Sequence, residues 1–390
     1  MGVIYLDNAA TSWPKPAAML DAFHDFYRTA GGSAGRAGHR MSAAATRLVD
    51  EARQAVAALF AAPDPRRIVF TANATHALNL ALRGVLRRGD HVVTTSVEHN
   101  SVMRPLRHLE TIGVGITVVR CEPDGTIDLE RVRRAFRPAT KLVVAAHASN
   151  VVGALLPVAE LAALAHQRGA LLLVDASQTA GIVPIDVAAI DVDLLAFTGH
   201  KGLLGPTGTG GLYVREGVEL APLMQGGTDS ESAREVQPSA LPDALEIGTP
   251  NAAGLAALGA SVRFILEIGV EAIRRHHEAL VRDCLSALGA VPGVTVYGPR
   301  DPSRCCGLVS FNIAGAPSAD VALLFDESFG VLARGGLHCA PAAHRTLGTF
   351  PGGAVRFSFS WFNSAGEIDA AARALREIAM WEADGMTAAM

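Results

Sequence analysis

Between residues 65 and 215, short β-branched runs alternate with amphipathic stretches, and this alternation restricts the fold more than any other feature. Arg67-Ile68-Val69-Phe70-Thr71, His91-Val92-Val93-Thr94-Thr95 and Ile116-Thr117-Val118-Val119-Arg120 read as strands, as do 141–146, 171–175 and 193–197. Helical patterns over 76–85, from about 101, over 129–136 and over 158–168 separate them. Strands that are apolar on both faces are covered on both faces. Strands spaced by helices require crossover connections. The pattern therefore predicts an α/β fold with a mostly parallel sheet between helical layers.

The flanks read differently. A short strand over 3–6 and helices over 17–29 and 42–60 precede the core, with a flexible glycine-rich loop over 31–38 between the helices. Residues 225–250 are rich in Gly, Ser, Asp, Glu and Pro and are expected to form an irregular interface segment. One long helix is expected over 252–287. Strands near Val294 and over 308–313, with helices over 319–326 and 365–383, then suggest a smaller α/β lobe. The expected division is a large domain over 16–250 and a small one from 1–15 and 251–390. A chain of 390 residues is long enough for both.

Composition narrows the function classes. Hydrophobic residues at 49% and charged residues at 18% describe a compact folded protein. A net charge of −4 and a pI near 6.4 offer no basic footprint for nucleic acid. No apolar run reaches the roughly 18–20 residues of a spanning helix, and the first residues lack the basic start of a signal peptide. The expectation is a cytoplasmic protein with no nucleic-acid or membrane partner. The five cysteines, Cys121, Cys284, Cys305, Cys306 and Cys339, are odd in number and lack a C-x-x-C pair. Reduced thiols follow. No cysteine–histidine pair has zinc-motif spacing, so no metal is expected.

In open α/β sheets the chemistry gathers at the carboxyl ends of the strands. Four polar residues fall there: His99 beyond Thr95, Asn150 beyond Ala146, Asp175 at the end of 171–175, and Lys201 just past Phe197. Lysine and aspartate are what pyridoxal 5'-phosphate (PLP) requires, one as a Schiff-base amine and one as partner to the pyridine nitrogen. Asn73-Ala74-Thr75, between a strand and a helix, suits a phosphate. A strand-end aspartate is otherwise a helix cap, and a lysine after a strand is usually solvated. The chain has only three lysines, Lys15, Lys141 and Lys201. Lys15 sits between prolines and Lys141 opens a strand, which favours Lys201.

Five motifs extend this reading. They are Tyr5-Leu6-Asp7-Asn8-Ala9-Ala10-Thr11, Val174-Asp175-Ala176-Ser177-Gln178, Thr198-Gly199-His200-Lys201, Gly248-Thr249-Pro250-Asn251 and Arg334-Gly335-Gly336-Leu337-His338-Cys339-Ala340-Pro341. With them, in this order, the chain resembles a cysteine desulfurase of the class V aminotransferase family, nearest the group II branch that includes selenocysteine lyases. The resemblance implies a fold type I PLP transferase acting as a homodimer. It implies that Lys201 carries PLP, His99 stacks on the ring, Asp175 pairs with the pyridine nitrogen and Gln178 bonds the ring oxygen. Ala74, Thr75, Thr198 and His200 would bind the phosphate, joined by Thr249 of the other subunit. Asn150 and Arg356 would hold the substrate carboxylate, with Arg334 nearby, and Cys339 would be the nucleophile.

The implied reaction takes sulfur from L-cysteine, leaves L-alanine, and passes a Cys339 persulfide to a sulfur-acceptor protein. The alternatives are a selenocysteine lyase acting on L-selenocysteine, another class V aminotransferase or lyase, and a PLP-binding sulfur-carrier partner without activity. Arg334 and His338 are both close enough in sequence to assist the thiol. Three features depart from the family pattern: Asn73 and His76 in the phosphate loop, the longer Gly202-Leu203-Leu204-Gly205 turn, and Gly335-Gly336-Leu337 before the cysteine.

Overall fold

The computed structural model describes residues 2–35, 38–228, 233 and 235–383. Part of the glycine-rich loop (36–37) and part of the 225–250 segment lie outside the described residues. The chain opens with β1 (Ile4–Tyr5), α1 (Ala17–Asp25), which continues as a π turn to Ala30, and α2 (Arg40–Leu59). The central sheet follows, built from β2 (Ile68–Thr71), α3 (Ala74–Val85), β3 (His91–Thr95), α4 (Asn100–Thr111), β4 (Gly115–Val119), α5 (Leu129–Ala135) and β5 (Thr140–Ala146). It is completed by α6 (Val158–His166), β6 (Leu171–Asp175), α7 (Val187–Ile190), β7 (Leu194–Thr198) and β8 (Gly210–Val214). The remainder comprises α8 (Ala252–Ile268), α9 (Val270–Gly289), β9 (Val294–Tyr297), β10 (Leu308–Ile313), α10 (Ser318–Phe329), β11 (Val331–Leu332), α11 (Pro341–Leu347), β12 (Val355–Ser358) and α12 (Ala365–Ala383).

The seven-stranded sheet has the order β2-β8-β7-β6-β5-β3-β4. Strands β4, β3, β5, β6 and β7 run parallel, so the carboxyl ends of β3, β5, β6 and β7 share one edge. β8 is antiparallel to both neighbours. The connection from β7 to β8 is too short for a crossover and has to turn back. Alternate residues feed opposite cores: Val143, Ala145, Leu172 and Val174 pack toward α2, α6 and α8, whereas Leu142, Val144 and Leu173 pack toward α3 and α4. Each fully buried leucine contributes about 1.5–3 kcal/mol.

The single helix expected over 252–287 is two. The break falls at Gly269, whose φ of 86° is costly for any residue with a Cβ, and the axes bend by 79°. The bend sends the chain from one core to another. α8 packs on α1 and α2, whereas α9 from Leu280 onward joins α10, α12 and the three-stranded sheet β12-β10-β9. Leu6 packs in this latter core too, beside the parallel pair β1–β11. Among the described residues no single helix is long and apolar enough to cross a membrane.

Candidate active site

A cleft of about 230 Å³ opens at the carboxyl edge of the sheet. Thr198 and Asp175 line it as the last residues of β7 and β6. Lys201 enters from the turn after β7, where Gly202 is required because a side chain would meet the Ala180 carbonyl at 2.5 Å. Burial pulls the Lys201 amine down to about 8, against the opposing pull of Asp175. Asp175 itself is buried, and its Oδ1 accepts from the Ser177 amide (2.9 Å) and hydroxyl (2.5 Å). With both bonds on Oδ1, Oδ2 is left for a ligand. Gln178 lines the same wall and donates to the Ala9 carbonyl at 3.2 Å.

The opposite wall comes from the segment after β3. The His99 Nδ1 accepts from the Ser101 amide at 3.0 Å and caps α4. This bond leaves the ring proton on Nε2. Burial and the neighbouring Lys201 push His99 down to about 4, so the ring is neutral at pH 7. Glu98, beside it, is fully buried, and its Oε1 accepts from Thr95 Oγ1 (2.6 Å) and the Ala146 amide (3.0 Å). Burial lifts its carboxyl to about 8, keeping it neutral beneath the cleft.

One corner is built for an anion. Ala74 and Thr75 line the cleft at the start of α3, which Asn73 caps by accepting from the His76 amide at 3.0 Å. Asn73 has an extended φ of −177°, so the turn needs no glycine. Thr75 Oγ1 bonds Ser101 Oγ at 2.7 Å. Thr198 Oγ1 and His200 Nδ1 are buried without a hydrogen-bond partner among the described residues. Buried polar atoms are normally satisfied. Two orphans beside a helix N-terminus fit a phosphate group.

Asn150 and Arg356 form the far end. Arg356, on β12, is 1% exposed. Its Nη2 donates to Asp7 Oδ1 (2.8 Å) and its Nη1 to the Asn150 carbonyl (2.9 Å). The guanidinium is therefore oriented by this chain's own N-terminal segment and retains further N–H donors, including a buried Nε with no partner among the described residues. The Asn150 amide donates to the His338 carbonyl at 2.7 Å, tying this end to the cysteine segment.

Among the described residues, which include all five cysteines, Cys339 alone is exposed. Burial pushes the other thiols up, to about 11 for Cys121 and Cys305, to about 12 for Cys306 and further for Cys284. They are inert. Cys339 follows His338 and is approached by Arg334, both lining residues; Arg334 places Nη2 3.7 Å from its Sγ. Of the two residues that sequence proximity offered to assist the thiol, only Arg334 reaches it. The His338 ring turns inward, bonding the Arg334 carbonyl and His344.

A model of the family described as aminotransferase class-V matches residues 4–371. The chain belongs to the class V aminotransferase family. Within that family it is 38% identical to a probable cysteine desulfurase of Methanothermobacter thermautotrophicus, over 96% of this chain and 94% of that one. It is 34% identical to a cysteine desulfurase of Escherichia coli O127:H6, over 96% and 93%. The apo structure of a cysteine desulfurase from Thermococcus onnurineus NA1 superposes with a TM-score of 0.91 at 35% identity, covering 97% of this chain and 95% of that one.

The cleft of this class V aminotransferase thus gathers Ala74, Thr75, His99, Asn150, Asp175, Gln178, Thr198, His200, Lys201, Arg334 and Arg356. Thr249 lies elsewhere, in a neighbouring cavity that His76 and Gly208 also line. Sequence reading left Asp7, Ser101, Ser177 and His344 without roles. Asp7 and Ser177 stood inside quoted motifs, but nothing local marked the bonds they make to Arg356 and Asp175.

Proposed function

We propose that the chain is a PLP-dependent cysteine desulfurase, on one observation above others: the buried Lys201–Asp175 pair lines one cleft with Arg334, whose guanidinium reaches the single exposed cysteine, Cys339. Lys201 would carry the cofactor, Asp175 Oδ2 would face its pyridine nitrogen, and Gln178 its ring oxygen. Ala74, Thr75, Thr198 and His200 would hold the phosphate, and neutral His99 would lie against the ring. The bound cofactor supplies an electron sink that makes the amino-acid Cα–H acidic.

The chain's own residues do the rest. Arg356 and Asn150 bind the substrate carboxylate through donors already oriented by Asp7 and the His338 carbonyl. Lys201 is neutral for a larger fraction of time at pH 7 than an ordinary lysine, which suits it to take and return the Cα proton. Arg334 places an N–H donor within reach of the Cys339 sulfur, and the thiolate is the form that attacks. L-cysteine plus the Cys339 thiol gives L-alanine plus a Cys339 persulfide. One C–S bond breaks with its electron pair kept by carbon, and one S–S bond forms. The exposed persulfide is then open to an acceptor protein. A homodimer is part of the same reading, with Thr249 completing the partner's phosphate site.

The test is to supply the PLP-loaded protein with L-cysteine and a reductant, measuring sulfide and alanine for wild type and Cys339→Ala. Equal release of both products, lost in the variant, is the expected result. Undiminished turnover by the variant would overturn the reading in favour of an aminotransferase or lyase. Turnover confined to L-selenocysteine would make the protein a selenocysteine lyase.

A further inference from the structure

His338 and Cys339 have φ of 50° and 58°, both left-handed and neither glycine. Such a turn is strained and persists only where its surroundings hold it. Two backbone bonds, Asn100 N–H to the Cys339 carbonyl (2.8 Å) and Ala340 N–H to the Leu337 carbonyl (2.9 Å), do so, joined by the Asn150 side-chain Nδ2 donating to the His338 carbonyl (2.7 Å). At the far end of α11, Thr346 Oγ1 bonds Ser96 Oγ at 2.8 Å. The remaining hold is a chain of side chains that the reaction itself does not use.

The direction of that chain is forced. The Arg334 carbonyl, 3.1 Å from His338 Nε2, can only accept, so Nε2 carries the proton. His338 is buried, and burial pushes it down to about 2, so the ring is neutral and Nδ1 is an acceptor. The donor to Nδ1 is His344 Nε2 at 3.3 Å. The ring centroids are 5.5 Å apart with planes 25° from parallel. That separation is what two ring radii plus the N···N distance require, so the rings meet edge to edge. His344, pushed down to about 4 by burial, is neutral as well. Its Nδ1 therefore accepts from Thr349 Oγ1 at 2.7 Å.

We propose that His344 is a positioning residue for Cys339: through the one-way chain Thr349→His344→His338→Arg334 carbonyl, it locks His338 in the tautomer that closes the nucleophile turn. Without a donor at its Nδ1, His338 can take the other tautomer. Its Nε2 lone pair then opposes the Arg334 carbonyl and the turn opens. Arg334 and Cys339 bound that turn, so the loss falls on the sulfur step; the Lys201–Asp175 side of the cleft stays in place, and alanine exchange is read at saturating L-alanine so that any change in the Asn150 hold on the carboxylate does not enter. Only the kinetic readout of this inference rests on the desulfurase reading.

The test compares His344→Leu, which keeps bulk, with His344→Gln, which restores an N–H donor near the Nε2 position. Persulfide formation from L-cysteine is read as one added sulfur in the intact mass over a single turnover. Exchange of the α-proton of L-alanine in deuterated buffer reports Lys201 and the cofactor without Cys339. His344→Leu should slow persulfide formation about 10–100-fold, the penalty of misplacing a reacting group by a fraction of an ångström to an ångström, with alanine exchange within about twofold of wild type. His344→Gln should recover most of the loss. Thr349→Val, a milder change, should move in the same direction as His344→Leu and stands in if that variant does not fold.

Equal impairment of the Leu and Gln variants, or none in either, would overturn the proposal. ¹⁵N spectra of the ring nitrogens decide it independently of activity. Both histidines should be protonated at Nε2 in wild type, and His338 should lose that preference in His344→Leu; an Nδ1-protonated His338 in wild type would overturn the relay. If wild type exchanges alanine but gains no sulfur from L-cysteine, the desulfurase reading fails while the spectra still decide the tautomer lock.

Discussion

Lys201 is placed where a charge is costly. Its amine titrates near 8 rather than 10.5 because burial penalises the cation more than Asp175 favours it. Lysine condenses with an aldehyde only as the neutral amine, which predominates above its pKa. Loading of PLP onto the apo protein should therefore rise with pH through a midpoint near 8 and level off about a unit above it, whereas loading onto a lysine peptide keeps rising toward 10.5. A rise continuing toward 10.5 would contradict the shift. Asp175→Asn removes the group that raises the amine, so its midpoint should move lower still. At this scale the sequence was informative wherever a residue was scarce or stood at a strand end. One lysine of three was a plausible cofactor carrier, and Asp175, His99 and Asn150 each follow a strand. It was silent wherever a role depends on a partner far along the chain: Asp7 meets Arg356 across 349 positions. The inward turn of His338 could not be read either, because adjacency to Cys339 suggested assistance to the thiol.

Elements were legible where period and length agreed. The parallel strands and the helices between them follow from apolar runs, but β8 was missed because its glycine-led start reads as a turn. The helix over 252–287 was drawn unbroken because a lone glycine in an amphipathic stretch is often tolerated; the left-handed φ at Gly269 emerges only when two cores compete for the two halves. The 225–250 segment shows another limit. Its composition suggested an irregular interface, yet Glu246 within it is a structural anchor. Its carboxylate takes Arg53 as a two-pronged pair at 2.6 and 3.0 Å and accepts the Phe70 amide at 2.6 Å. Arg53 also bonds the Ile68 carbonyl and lies over the Phe70 ring. The pair is mostly shielded, with side chains 8% and 18% exposed. Removing one partner leaves the other charge uncompensated, so Glu246→Ala should cost about 3–5 kcal/mol in urea unfolding. The double variant Arg53→Met with Glu246→Leu should recover much of that. A loss below about 1 kcal/mol for Glu246→Ala would show that water satisfies Arg53 instead.

At the scale of the whole molecule, the position of Thr249 argues for a site shared between chains. The anion corner of the cleft offers the orphaned Thr198 and His200 atoms, while Thr249, the remaining residue expected at the phosphate, faces a separate cavity of its own chain. In the dimer proposed above, that hydroxyl serves the neighbour's phosphate. The expected particle sediments at twice the 40.6 kDa chain mass. Composition separates the two arrangements. Thr249→Val should weaken PLP binding about 10–100-fold, the loss of one hydrogen bond to a charged group. Lys201→Ala should abolish cofactor attachment in its own chain. Co-expressed, the two variants form mixed dimers. If Thr249 acts across the interface, the chain with the valine keeps its own Lys201 and receives Thr249 from its Lys201→Ala partner, so each mixed dimer holds one site of wild-type affinity. If Thr249 acts within its own chain, that site stays weak and the other stays empty. Titrating purified mixed dimers with PLP distinguishes a half-complement of tight sites from none, and a monomeric protein with full affinity would remove the shared site altogether.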